Sequence, residues 1–238
     1  MLRLRIRLFS VAVTVALAVL FMTTLSGVAR ADTILVANLT NAQENPAAVP
    51  RLDDNLTLRP VSFGTATFVL NDAMTQMTFS ATVTNIDFGR VPSQGMPVVM
   101  PPNANPNPQT ANILNDDLTI AHIHRGPVGT NGPVIWGFIG APFNDINPAD
   151  VVVTPFATGV GGTVTGKWDL AEGNGTTLSA EIQNILAGNT YINFHTIQFG
   201  GGEIRGQILP APEPSSILLL LAGIGGIAGA VRRQTSVS

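Results

Sequence analysis

Residues 76–85 alternate without a break, with Met77, Phe79, Ala81 and Val83 on one parity and Thr78, Ser80, Thr82 and Thr84 on the other. Strict period two puts each set on its own face of an extended strand and excludes an amphipathic helix. Such a strand needs partners for its N–H and C=O groups and a cover for its apolar face, so the chain must build a sheet. Residues 64–70 read as a second strand, and Asn71-Asp72 supplies the turn that joins the two as a hairpin. Further strands are expected at 34–39, 118–124, 134–139, 162–168, 191–197 and 203–209. Many short strands with Gly-rich turns predict an all-β fold, an antiparallel β-sandwich of the Ig-like or Greek-key type. Within it, 178–186 places Leu178, Ile182, Ile185 and Leu186 at helical spacing ahead of Gly188, although the same run also fits a strand. Residues 89–117 carry Pro92, Pro97, Pro101, Pro102, Pro106 and Pro108 among many Asn, and read as an exposed loop insert.

The two ends read as address labels rather than fold. Arg3, Arg5 and Arg7 precede an apolar run that ends at Ala29-Arg30-Ala31, the pattern of a secretory signal peptide cleaved after Ala31. At the other end, Pro212-Glu213-Pro214 is followed by an apolar helix over 215–231 and by Arg232-Arg233. That helix is just long enough to cross a bilayer, with the arginines on the cytoplasmic side. The order of these three elements resembles the PEP-CTERM sorting signal of Gram-negative bacteria. The resemblance implies an exosortase-type membrane protease as partner, transient membrane association through the tail, and delivery to the cell surface or medium. The expected organisation is a signal peptide (1–31), one domain (32–209) and a sorting tail (210–238).

Between these labels, six basic residues stand against fourteen acidic ones, a net charge near −8. That balance excludes nucleic acid as a partner, because its affinity comes from Lys and Arg neutralising phosphates. The chain has no cysteine, so an exported domain here has neither disulfides nor thiolate chemistry. No catalytic set is legible: no serine has the flanking glycines of a nucleophile elbow, and the Gly-rich segment 126–133 lacks the Gly-Lys-Ser/Thr ending of a phosphate loop. A non-enzyme is expected.

Chemistry, if present, sits on the chain's three histidines. On a strand His122 and His124 project from one face. Residues 191–197 and 203–209 are joined through Gln198-Phe199-Gly200-Gly201-Gly202, a short hairpin connection. With His195 near Arg205, the residues Asn193 and His195 share a face with Glu203, Arg205 and Gln207, leaving Ile192, Phe194, Ile204 and Ile208 for the core. If the two polar faces adjoin, His122, His124 and His195, with Glu203 nearby, make a nitrogen-rich site suited to zinc or copper. Spacing alone equally allows hydrogen-bonding side chains on a sheet surface.

The blocks Asn-Leu-Thr-Asn-Ala-Gln-Glu-Asn-Pro (38–46), Ala121-His122-Ile123-His124 with Gly132-Pro133-Val134, and Tyr191-Ile192-Asn193-Phe194-His195-Thr196 with Gly202-Glu203-Ile204-Arg205-Gly206-Gln207 resemble the CHRD domain. The resemblance spans nearly the whole segment between the labels and implies an extracellular β-rich domain. The long Pro/Asn insert departs from the family pattern. The His-x-His strand is also similar to that of copper-zinc superoxide dismutase, but that enzyme needs more histidine ligands than this chain owns and a disulfide it cannot make. The reading is therefore an exported structural or binding component of the cell surface or extracellular polysaccharide matrix, whose partners are that polysaccharide or surface proteins. The alternative is a small metalloprotein or metalloenzyme using the three histidines.

Overall fold

The computed structural model describes residues 31–50, 58, 60–88, 116–158 and 160–212. The signal segment up to Arg30, with Ala29, lies outside the described residues, as do most of the insert, Glu213, Pro214, the 215–231 segment, Arg232 and Arg233.

The alternating runs form a meander of β1 (Thr33–Thr40), β2 (Phe63–Leu70) and β3 (Gln76–Asp87). Each puts one parity inside: Leu35, Ala37 and Leu39; Ala66, Phe68 and Leu70; Met77, Phe79, Ala81 and Val83. The register sets Phe68 opposite Phe79, with ring centroids 6.0 Å apart. Asn71 closes the β2–β3 hairpin as expected, its Oδ1 accepting from the Thr75 and Gln76 amides.

Then come β4 (Leu118–Arg125), β5 (Val134–Ile139), β6 (Val152–Pro155) and β7 (Val160–Asp169), and, after a helix, β8 (Thr190–Thr196) and β9 (Ile204–Pro210). The all-β expectation is met. The strands join in one antiparallel sheet of order β5-β4-β8-β9-β1-β2-β3-β7-β6, not in the two separate sheets of an Ig-type sandwich. Hydrogen bonding continues across β9–β1, where Val36 pairs with Leu209. The sheet curls until its far ends face each other: Trp136 of β5 stacks on Trp168 of β7 at 5.4 Å, and Phe79 of β3 meets Phe138 edge-on at 5.0 Å. Curling buries both tryptophans, and truncating such a side chain costs about 3–5 kcal/mol.

The ambiguous run 178–186 is a helix, α1 (Leu178–Leu186). Its ends decide the matter. The Thr177 hydroxyl accepts from the Ala180 amide, and Gly188 adopts φ +70 while its amide bonds to the Ile185 carbonyl. Strand β6 was not expected, because Val151-Val152-Val153 does not alternate; it is the edge strand beside β7 and ends in Pro155, which an edge tolerates.

The domain takes in and releases the chain at one corner. The Ala211 amide bonds to the Ile34 carbonyl, and Ala31 and Pro212 are both exposed.

Candidate metal centre

Strand β8 is buried along its whole length, with Ile192 and Phe194 in the core and Tyr191, Asn193 and His195 on the opposite, outer face. On one side it pairs with β4, setting His122 opposite Asn193, His124 opposite Tyr191, and Ile120 opposite His195. On the other it pairs with β9, setting Asn193 opposite Arg205 and Tyr191 opposite Gln207. The expected register had His195 near Arg205. The real one is displaced by two residues, which preserves parity, so the faces are as expected. The two polar faces do adjoin.

Two irregularities in the β4–β5 pairing, at Ala121/His122 and Ile123/His124, re-aim the histidine strand. Opposite His122 stands Gly137, where a Cβ would lie 1.8 Å from the Pro142 carbonyl oxygen and 3.2 Å from His122 Cδ2. The position requires glycine because any side chain would collide with the Pro142 carbonyl, and it would crowd the His122 ring as well.

The three rings form a triangle with centroid separations of 5.6, 5.1 and 6.1 Å. Each is fixed by one backbone carbonyl: His122 Nε2 to Ala141 at 3.2 Å, His124 Nδ1 to Gly132 at 3.0 Å, and His195 Nδ1 to Gly200 at 3.0 Å. A carbonyl only accepts, so each of these nitrogens carries the hydrogen and the other holds a lone pair. Those other nitrogens, His122 Nδ1, His124 Nε2 and His195 Nε2, are buried with no hydrogen-bond partner. One ring nitrogen from each histidine lies within 4.8 Å of the other two, the one such set of three possible ligands among the described residues. Ligands about 2.0–2.1 Å from a tetrahedral ion stand about 3.4 Å apart, so a small inward rotation of the rings closes the set. A carbonyl bound to the far nitrogen is the usual second partner of a ligating imidazole, fixing its tautomer.

Burial, reinforced by the neighbouring imidazoles, pushes His122 down to about 3. Burial takes His195 down to about 4 against the pull of the Gly200 carbonyl, and likewise lowers His124. All three rings are therefore neutral at physiological pH, the form that binds a cation.

A polar frame surrounds the trio. Tyr191 stacks on His124 at 4.8 Å, and the Arg205 guanidinium lies 3.4 Å from the centre of the Tyr191 ring. Arg205, 1% exposed, donates to the Thr130 and Pro127 carbonyls at 2.9 and 3.0 Å, while Gln207 Nε2 donates to Gly126 and Gly188. The Gly-rich segment 126–133 is thus a turn strapped over the polar face. Glu203 does not join the histidines. Its carboxylate accepts from the Ser62 hydroxyl and from Thr196 Oγ1 at 2.6 Å. Sequence reasoning missed Glu44, brought to Asn193 by the 3-10 turn Asn41–Gln43. Its only signal was its place in the 38–46 block.

The site is defined as a buried, neutral three-imidazole cluster on the outer face of a curled antiparallel sheet. The CHRD domain profile matches residues 35–208, so the chain belongs to the CHRD domain family, and the PEP-CTERM protein-sorting motif matches residues 210–234. No curated protein and no solved structure matches the chain. The sorting motif marks a bacterial protein that is exported, processed by an exosortase membrane enzyme, and placed at the cell surface or outside the cell.

Proposed function

We propose that this CHRD protein is a metal-binding component of the bacterial cell surface or its polysaccharide matrix, holding zinc or copper on His122, His124 and His195. The observation that carries the reading is the set of three buried nitrogen lone pairs that no protein donor serves. A buried polar atom without a partner costs about 1–3 kcal/mol, and an ion that accepts all three removes that cost at once. Nitrogen-only ligation suits zinc and copper rather than magnesium or calcium, which take oxygen. Binding rather than turnover is the proposed role, because Tyr191, Arg205 and Gln207 around the trio are engaged in holding the covering turn. Signal cleavage after Ala31, tail removal near Pro212 and a Gram-negative host complete the proposal, supported by the order of the terminal motifs.

The test is elemental analysis of the purified protein after loading with zinc or copper and desalting, beside His122→Ala and His195→Ala. The reading expects retained metal that either substitution removes. Protein that emerges metal-free from both loadings would sink it.

A further inference from the structure

Asn193, directly across from His122, has Glu44 as its side-chain partner. Its Nδ2 donates to Glu44 Oε2 at 3.5 Å, which leaves Glu44 Oε1 and Asn193 Oδ1 buried without a donor. Both oxygens border the space left open by Gly202, where a Cβ would lie 2.7 Å from each. The two side chains are 8% and 3% exposed. Two acceptors that border the same small gap with no hydrogen between them repel. A single proton on Glu44 Oε1 makes that oxygen a donor and closes a two-bond acid–amide pair.

Resting on the metal reading above, we propose that Glu44, paired with Asn193, holds one proton beside the imidazole trio and releases it to solvent when the metal ion enters. The charges facing Glu44 come from two places. Arg205 on β9 favours the carboxylate, and Glu203, from the β8–β9 connection, opposes it. The turn 126–133 offers no titratable side chain, and the imidazoles on β4 and β8 are neutral. Burial dominates and raises Glu44 to about 7, so the proton is balanced near neutrality. A divalent charge arriving one strand away tips that balance toward the carboxylate. The consequence is a metal store coupled to protons, tighter above neutral pH and looser when the surroundings acidify.

The coupling can be isolated because the ligands themselves release no protons at neutral pH. Zinc is titrated into the metal-free protein in weakly buffered solution with a pH indicator. The expected release is about 0.9 proton per zinc near pH 6, about 0.5 near pH 7, and almost none near pH 8.5. Water ionising on the metal gives the opposite trend, rising with pH. Glu44→Gln keeps a donor and an acceptor toward Asn193, so it should still bind zinc while its release near pH 6 falls close to zero. Equal release from wild type and Glu44→Gln, or release that grows with pH in the wild type, overturns the proposal. The wild-type trend decides even if the variant does not fold. Where zinc does not bind, copper(II) is titrated in its place; failure to bind either metal overturns the metal reading and this one together, whereas metal binding without proton release overturns this one alone.

Discussion

Replacing His122 with Gln in the metal-free protein should cost far more stability at neutral pH than in acid. His122 is held neutral by burial at about 3 in the fold, against 6.5 in the unfolded chain. Because the folded value is depressed, the unfolded chain takes up the proton first as pH falls below 6.5. The stability tied to the neutral ring is therefore full above 6.5 and is lost progressively on the way down to about 3. Two pH units of that window, from 6.5 to about 4.5, correspond to about 2.5 kcal/mol. Gln still reaches toward the Ala141 carbonyl but cannot be protonated. Its cost at pH 7 should exceed its cost at pH 4.5 by about 2.5 kcal/mol. Wild-type stability alone would hide the effect, since Glu44 and Asp145, raised by burial to about 7 and about 6, act with opposite sign. Their contributions are full at low pH and fade as pH rises through those values. Subtracting variant from wild type removes both. Urea unfolding at the two pH values with a chelator present, at unchanged slope, reads the difference. A cost that is the same at both pH values, or larger in acid, would refute the reasoning.

Two further substitutions test the frame around the site, and added zinc tests the site itself. Arg205→Met takes the side-chain donor from the Thr130 carbonyl, leaves the Pro127 carbonyl with the Thr130 amide alone, and removes the cation from Tyr191, and should destabilise by about 3–5 kcal/mol in urea unfolding. Gly202→Ala strains a backbone at φ +129 and drives a methyl onto Asn193 and Glu44; a loss of about 2–4 kcal/mol is expected, seen as a lower urea midpoint. Zinc at a hundredfold excess over its dissociation constant should add about 2.7 kcal/mol to wild-type stability, reversed by chelator and absent in His195→Ala.

Alternation made β1, β2 and β3 legible, because parity is a local property of a strand and each has one face in the core. The same logic put His195, Arg205 and Gln207 on one face although the partner across from Arg205 proved to be Asn193. Parity survives a shift of two residues, whereas the pairing itself depends on where the Gln198–Gly202 connection turns. The helix became certain only through its caps, since Leu178, Ile182 and Leu186 share a parity that a strand would also allow. Edge strand β6 was missed because residues 151–153 do not alternate, whereas the β9–β1 seam and the curl that stacks Trp136 on Trp168 were not legible because they depend on contacts between residues far apart in the chain. Glu44 was invisible for the same reason: 149 residues separate it from Asn193, and an isolated acid in a polar block carries no period.

The central claim is that three neutral imidazoles share one ion. X-ray absorption on protein loaded with a single equivalent of zinc addresses it most directly. One bound ion per chain, with three imidazole nitrogens at about 2.0 Å, is expected in the wild type, and no retained zinc in His195→Ala. An all-oxygen shell, or a histidine contribution that no substitution of His122, His124 or His195 diminishes, would contradict it.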